Sequence, residues 1–221
     1  MKTQPRTLRQ QAFTLIELVV VIAVVAVVGG LLLPWMRSAK QKAERISCSG
    51  RLKQIGTAYR LWAGDFGSTN KFQLYPARVP TNTGGALEWV VQGQVWPVYQ
   101  LMSNELNTPL ILVCPADTRR VAANFGVLRN TNLSYFVGLD ADESQPEGLL
   151  AGDRNLAVRG QPLLPGVVTL TTNQAVNWTR THHGLGGNVG LTDGSVQQIK
   201  NEHLRAYLVG QGLATNRLAI P

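Results

Sequence analysis

At 221 residues and 24.1 kDa, the chain can hold one medium domain with an appendage or two small ones, which excludes a large multidomain enzyme. Apolar residues make up 44% and charged residues only 15%, against the roughly 25% charged usual in soluble domains, a balance that excludes intrinsic disorder. The net charge of +8 is confined to the first 60 residues, where Lys2, Arg6 and Arg9 precede an apolar run and Arg37, Lys40, Lys42, Arg45, Arg51, Lys53 and Arg60 follow it; from residue 61 onward 11 basic side chains meet 11 acidic ones. Charge that flanks an apolar run serves topology and lipid headgroups, so nucleic acid is not an expected partner.

Phe13 to Leu33 is that run, 21 residues with Glu17 as its one charge, long enough as a helix to span about 30 Å of hydrocarbon. It exceeds the 7–15 residues of a signal-peptide core and continues into Pro34, Trp35, Met36 and Arg37 with no small-residue cleavage site. An uncleaved single-pass anchor is the expectation. Leader charge keeps the N-terminus cytoplasmic, while the larger cluster after Pro34 argues the opposite way. Glu17 is the anomaly, because an intramembrane carboxylate is expensive and by default has a partner or a function.

Apolar residues then recur at Trp35, Ala39, Ala43, Ile46, Leu52, Ile55, Tyr59 and Trp62, which predicts that the helix continues past a kink at Pro34 with one apolar face and stops at Gly64. Residues 65–86 read as loop, and Val95 to Leu106 as a short helix stopped before Pro109. Strands are predicted at Leu110–Val113, Leu133–Leu139, Leu149–Ala151, Val167–Thr171, Asn188–Leu191 and Ser195–Ile199 in an antiparallel sheet. Asp140 to Glu147 reads as a solvated acidic loop. Thr192-Asp193-Gly194-Ser195 predicts a hairpin with a type I′ turn, positive φ being required at both central positions.

Arg9-Gln10-Gln11-Ala12 followed by Phe13-Thr14-Leu15-Ile16-Glu17 and an apolar helix resembles the processing site of type IV prepilins and type II secretion pseudopilins. The resemblance implies that a prepilin peptidase cuts between Ala12 and Phe13 and methylates the new amine, leaving Glu17 as the fifth mature residue, with a role in assembly. Ala12 stands where the family has Gly. His183 lies ten residues before Asp193-Gly194, and this H-x9-DG spacing resembles a C-terminal signature of prepilin-like proteins from environmental bacteria. Arg45-Ile46-Ser47-Cys48, Leu52 to Gly56, Cys114-Pro115-Ala116-Asp117 and Ser134 to Asp140 extend the resemblance over most of the chain.

Read this way, the chain is an α+β protein in which a long N-terminal helix packs on a small antiparallel head. It divides into a leader (1–12), a transmembrane half (13–34), an amphipathic half (35–64) and a head (65–221). The expected function is a structural subunit of a secretion pseudopilus or pilus-like filament, not an enzyme. Its partners would be copies of itself or other pseudopilins, prepilin peptidase, an inner-membrane assembly platform and lipid, with the head in the periplasm or at the cell surface. The alternatives are a membrane-anchored periplasmic binding or catalytic domain, and a minor pilin that contacts DNA or a surface.

No phosphate loop, zinc spacing or nucleophile elbow is present, and Cys48 and Cys114, 66 residues apart, suit neither a metal site nor a CxxC pair. In an oxidising compartment they are expected to form a disulfide between helix and head. His182, His183 and His203 with Asp153 and Asp193 are the residues from which a hydrolytic or metal site would have to be built. The expectation is no such site and no cofactor, with calcium at Asp153 or Asp193 as the minor alternative and His183 and Asp193 positioning the arms of the final hairpin.

Overall fold

The computed structural model describes residues 14–70 and 75–221, and of residues 32–34 and 67–70 the backbone alone. Helix α1 runs from Leu15 to Asn70, so the break expected at Gly64 lies six residues too early. The chain divides into a first unit ending at Lys40 and a second comprising Gln41–Pro221.

In the second unit, α1 presents Cys48, Leu52, Ile55, Tyr59, Trp62 and Ala63 to a core in which all are buried, at the spacings of three and four that keep side chains on one helical face. Burial begins at Cys48. Ile46 and Trp35 are largely exposed, so the predicted apolar face starts about four turns later than the sequence pattern suggested. Four short helices follow: α2 (Leu87–Val91), α3 (Trp96–Leu101), α4 (Ser103–Leu106) and, late in the chain, α5 (Asn201–Gly210). The helix expected over Val95–Leu106 is thus broken in two at Met102, and the strand expected at Leu110–Val113 is a 3-10 turn, Pro109–Leu112, because Pro109 sits at its start and fixes φ there.

The strands are β1 (Tyr135–Gly138), β2 (Leu149–Asp153), β3 (Leu156–Val158), β4 (Gln161–Pro162), β5 (Gly166–Thr171), β6 (Val176–Trp178), β7 (Gly186–Leu191), β8 (Val196–Lys200) and β9 (Thr215–Ile220). Six form an antiparallel sheet in the order β5-β9-β1-β2-β7-β8, and β4-β3-β6 form a second. The expected α+β, pilin-like arrangement of a long helix and a small antiparallel sheet is what the chain adopts; β3, β4, β6, α5 and β9 were not foreseen.

The central strands are buried on both faces. Tyr135 and Val137 point into the core with α1, and Phe136 points into a second core with Leu149, Trp178, Val189, Leu204 and Leu208, the period-two alternation of a pleated strand. Glycine makes room where large rings lie flat on the sheet. A Cβ at Gly187 would lie 2.6 Å from three Trp178 ring positions to within a tenth of an ångström, and one at Gly152 would meet Phe136 at 2.6 Å. Neither ring can swing away, since Trp178 and Phe136 are both buried. Gly187→Ala is therefore expected to destabilise the head by about 2 kcal/mol through overpacking, a fall in Tm of roughly 4–8 °C for a domain of this size; an unchanged melting curve would show that Trp178 is not held where it lies.

The turn after β7 differs in type from the one expected. Gly194 has φ +82° while Asp193 is absent from the positive-φ residues, and Leu191 bonds to both Gly194 and Ser195. This is a three-residue loop with glycine at the left-handed position of a bulge, because Asp193 spends its Oδ1 on the amide of Ser195 at 2.7 Å instead of adopting a left-handed backbone.

Candidate functional site

The described part of the chain opens on a reciprocal cap. Glu17 Oε2 accepts from the amide and the hydroxyl of Thr14, each at 2.8 Å, while Thr14 Oγ1 accepts from the amide of Glu17 at 3.4 Å. Thr-x-x-Glu ahead of an apolar run is a helix-start signature, and it fixes where α1 begins. Ala12 and Phe13, the expected processing site, lie outside the described residues. From Leu15 to Leu31 the helix is apolar on every side, and every large apolar side chain with a described position is about half exposed or more, Leu15 at 80% and Val28 at 48% being the extremes. A helix that is apolar all round needs lipid or other helices around it. Among the described residues no single helix is long and apolar enough to cross a membrane, though Leu15–Leu31 and Trp35–Phe66 pass together by length and composition.

A second site lies in the head. Cys48 on α1, Cys114 after the 3-10 turn, Asp153 at the end of β2 and His183 in the loop before β7 bring one sulfur, nitrogen or oxygen atom each within 4.8 Å of all the others. The thiol of Cys48 donates to Asp153 Oδ1 at 3.0 Å and lies 3.3 Å from the Tyr135 hydroxyl. Cys114 Sγ shares a hydrogen bond with His183 Nε2 at 3.2 Å, and that nitrogen lies 3.6 Å from Asp153 Oδ2. Both cysteines and Asp153 are 0% exposed. The fold explains the convergence. Tyr135 pairs with Asp153 in the β1–β2 register, Asn188 on the neighbouring β7 gives its amide and Nδ2 to Asp153 Oδ2 at 2.7 and 3.1 Å, and Arg51 on α1 donates to the carbonyl of Val113, which fastens the loop bearing Cys114 to the helix.

The electrostatics split the two sulfurs. Burial pushes the Cys48 thiol far up, with Cys114 and Asp153 adding to it, whereas the nearby Cys48, helped by His183, outweighs burial and holds Cys114 below the ordinary thiol range. Burial, then the charge on Cys114, pushes the Asp153 carboxyl up to about 6. The pair expected to be a disulfide is therefore brought together, but the structure holds both as free cysteines, each sulfur engaged by a different partner. The distance of 66 residues that spoke against a shared site is irrelevant in space, because α1 and the Cys114 loop pack side by side.

The neighbouring residues in sequence build a companion cluster. Asp117, three residues after Cys114, accepts from Arg154 Nε and Nη2 at 3.0 Å each and from the Ser134 hydroxyl at 2.8 Å, and His182 Nε2 lies 2.9 Å from its Oδ2. His182 and His183, and likewise Asp153 and Arg154, thus divide between two adjacent polar clusters. His203 is apart from both, 71% exposed beside Glu202. Asp193 is apart as well: its carboxylate caps its own turn and its carbonyl accepts from Arg60 Nη1 at 3.0 Å. His183 and Asp193 do not act together on the hairpin as expected, since His183 is turned toward Cys114 and Asp153. Asp117, Tyr135, Arg154 and Asn188 were not singled out by sequence; Asp117 stood in a quoted segment, but nothing local marked its chemistry.

Residues 7–33 match the family model of the prokaryotic N-terminal methylation motif, which marks this segment as type IV prepilin-like and implies membrane anchoring. No curated protein and no solved structure matches the chain.

Proposed function

We propose that the chain is a structural subunit of a type II secretion pseudopilus or type IV pilus-like filament, processed between Ala12 and Phe13 by prepilin peptidase and assembled through its N-terminal helix. The observation that carries this is the methylation motif at residues 7–33 running into a helix whose apolar side chains are exposed on all sides. Lipid covers that surface before assembly and neighbouring subunits cover it afterwards. The partners are further copies or other pseudopilins, the peptidase and an inner-membrane platform, with the head on the periplasmic side. A membrane-anchored enzyme is the weaker alternative, because the one Cys–His–Asp constellation among the described residues places both of its cysteines in the core, with no exposure to a substrate.

The test is co-assembly in the native cell. Filaments sheared from cells with an active prepilin peptidase are expected to contain the head, and cells lacking the peptidase are expected to retain all of it in the membrane fraction. A head that stays in the membrane in both would contradict the proposal.

A further inference from the structure

We infer that Cys48, Cys114, Asp153 and His183 form a structural zinc site that ties the second half of α1 to the sheet. Four donors from four separated stretches of chain converge with pairs at 3.0, 3.2 and 3.6 Å and none beyond 4.8 Å. In a tetrahedral site with bonds of about 2.0–2.3 Å, neighbouring donors stand roughly 3.3–3.8 Å apart, so small shifts would close the set on an ion. Two sulfurs, an imidazole nitrogen and one carboxylate oxygen are the donor chemistry of zinc. Calcium and magnesium require several oxygens, and the cluster offers one carboxylate.

Three features fit a permanent ion better than a disulfide. A Cys48–Cys114 bond would use two of the four donors and take from the fully buried Asp153 and from His183 the sulfur partner each now has, leaving them only each other at 3.6 Å across the cluster, a costlier arrangement. Asp153 is already oriented by two hydrogen bonds from Asn188, the outer support that metal-ligating carboxylates receive. Arg45, whose charge acts on His183, keeps Nε and Nη2 buried without a hydrogen-bond partner among the described residues. Two thiolates and a carboxylate around Zn2+ carry one net negative charge, and the Arg45 guanidinium balances it. Binding expels two protons to solvent, the one on the Cys48 thiol and the one shared between Cys114 Sγ and His183 Nε2, because each ligand atom must be deprotonated to coordinate. With Cys48, Cys114 and Asp153 fully buried and the His183 side chain 2% exposed, the site is closed, which makes it structural and not catalytic.

Full-length protein purified in detergent without added metal is expected to contain about one zinc per chain by elemental analysis. Chelation with EDTA should lower Tm by roughly 5 °C or more and added Zn2+ should restore it. Replacement by Co2+ should give the visible absorption of a tetrahedral site together with sulfur-to-cobalt charge transfer. His183→Gln and Asp153→Asn should each lose the cobalt spectrum, and Asn188→Ala, which leaves every ligand in place, should weaken Zn2+ binding on the order of 10- to 100-fold. In the denatured, unreduced protein both cysteines should be alkylated after chelation. A Cys48–Cys114 disulfide in native protein, or two free thiols with a Tm indifferent to Zn2+ and EDTA, would overturn the inference whatever becomes of filament assembly.

Discussion

Glu17→Gln is expected to leave α1 capped and inserted and yet to stop filament assembly, lowering the yield of sheared filaments by roughly tenfold or more. Glutamine can serve as the third residue of a capping box, so the bonds between Glu17 and Thr14 keep a counterpart and only the charge is lost. In the proposed subunit, cleavage before Phe13 would create an ammonium at the head of an apolar helix. When subunits pack and lipid withdraws, that charge needs a carboxylate, because an uncompensated ion in a medium of low dielectric is strongly disfavoured. Under the proposed assembly, Glu17 of an adjacent subunit would supply it. The pairing would also select the axial offset, which apolar side chains alone discriminate poorly. Glu17→Val should insert at least as readily and fail in the same way, while also weakening the start of the helix. Normal filaments from the Gln variant would assign Glu17 to capping alone.

Asp117→Asn is expected to destabilise the head by about 3 kcal/mol, the usual cost of removing one partner from a buried ionic network, or a Tm lower by roughly 6–12 °C. The carboxylate is 2% exposed, and the variant would leave Arg154 without its counter-charge and His182 without its carboxylate partner. Acid should produce the same loss in the wild type. Burial by itself would raise the Asp117 carboxyl, but His182, Arg154 and Ser134 outweigh it and hold the group well below the ordinary carboxylate range. Since the folded value lies below the unfolded value of about 3.9, the contribution is complete above about pH 5 and disappears as pH falls through the unfolded value toward the folded one. Thermal melts between pH 6 and 3 should therefore show a steep decline in the wild type and a shallower one in Asp117→Asn. Parallel curves would mean that the network does not stabilise the fold.

What could be seen in the sequence was local. Phe13, Glu17 and the apolar run lie within one stretch, so the motif is legible, and the capping box of Thr14 and Glu17 is equally legible in its Thr-x-x-Glu spacing. The hairpin was foreseen because Asp193-Gly194 stands between two strand-like runs, but its type was not, since an aspartate can either adopt positive φ or bond to the following amide, and only the fold decides. The apolar face of α1 begins later than the pattern suggests because Trp35, Ala43 and Ile46 have the right period but are exposed. β9 carried an alternating pattern at Asn216, Leu218 and Ile220 that follows a helix too closely to stand out. The Cys48 cluster was illegible for a stronger reason. Its four ligands come from α1, a loop, the end of β2 and the loop before β7, and sequence spacing holds no information about which loops a long helix will touch.

The most direct test of the central claim is the intact mass of the protein recovered from native membranes. Loss of residues 1–12 with one added methyl group on Phe13 is the predicted result. A chain that retains Met1 through Ala12 in cells whose other prepilins are processed would contradict the assignment as a filament subunit.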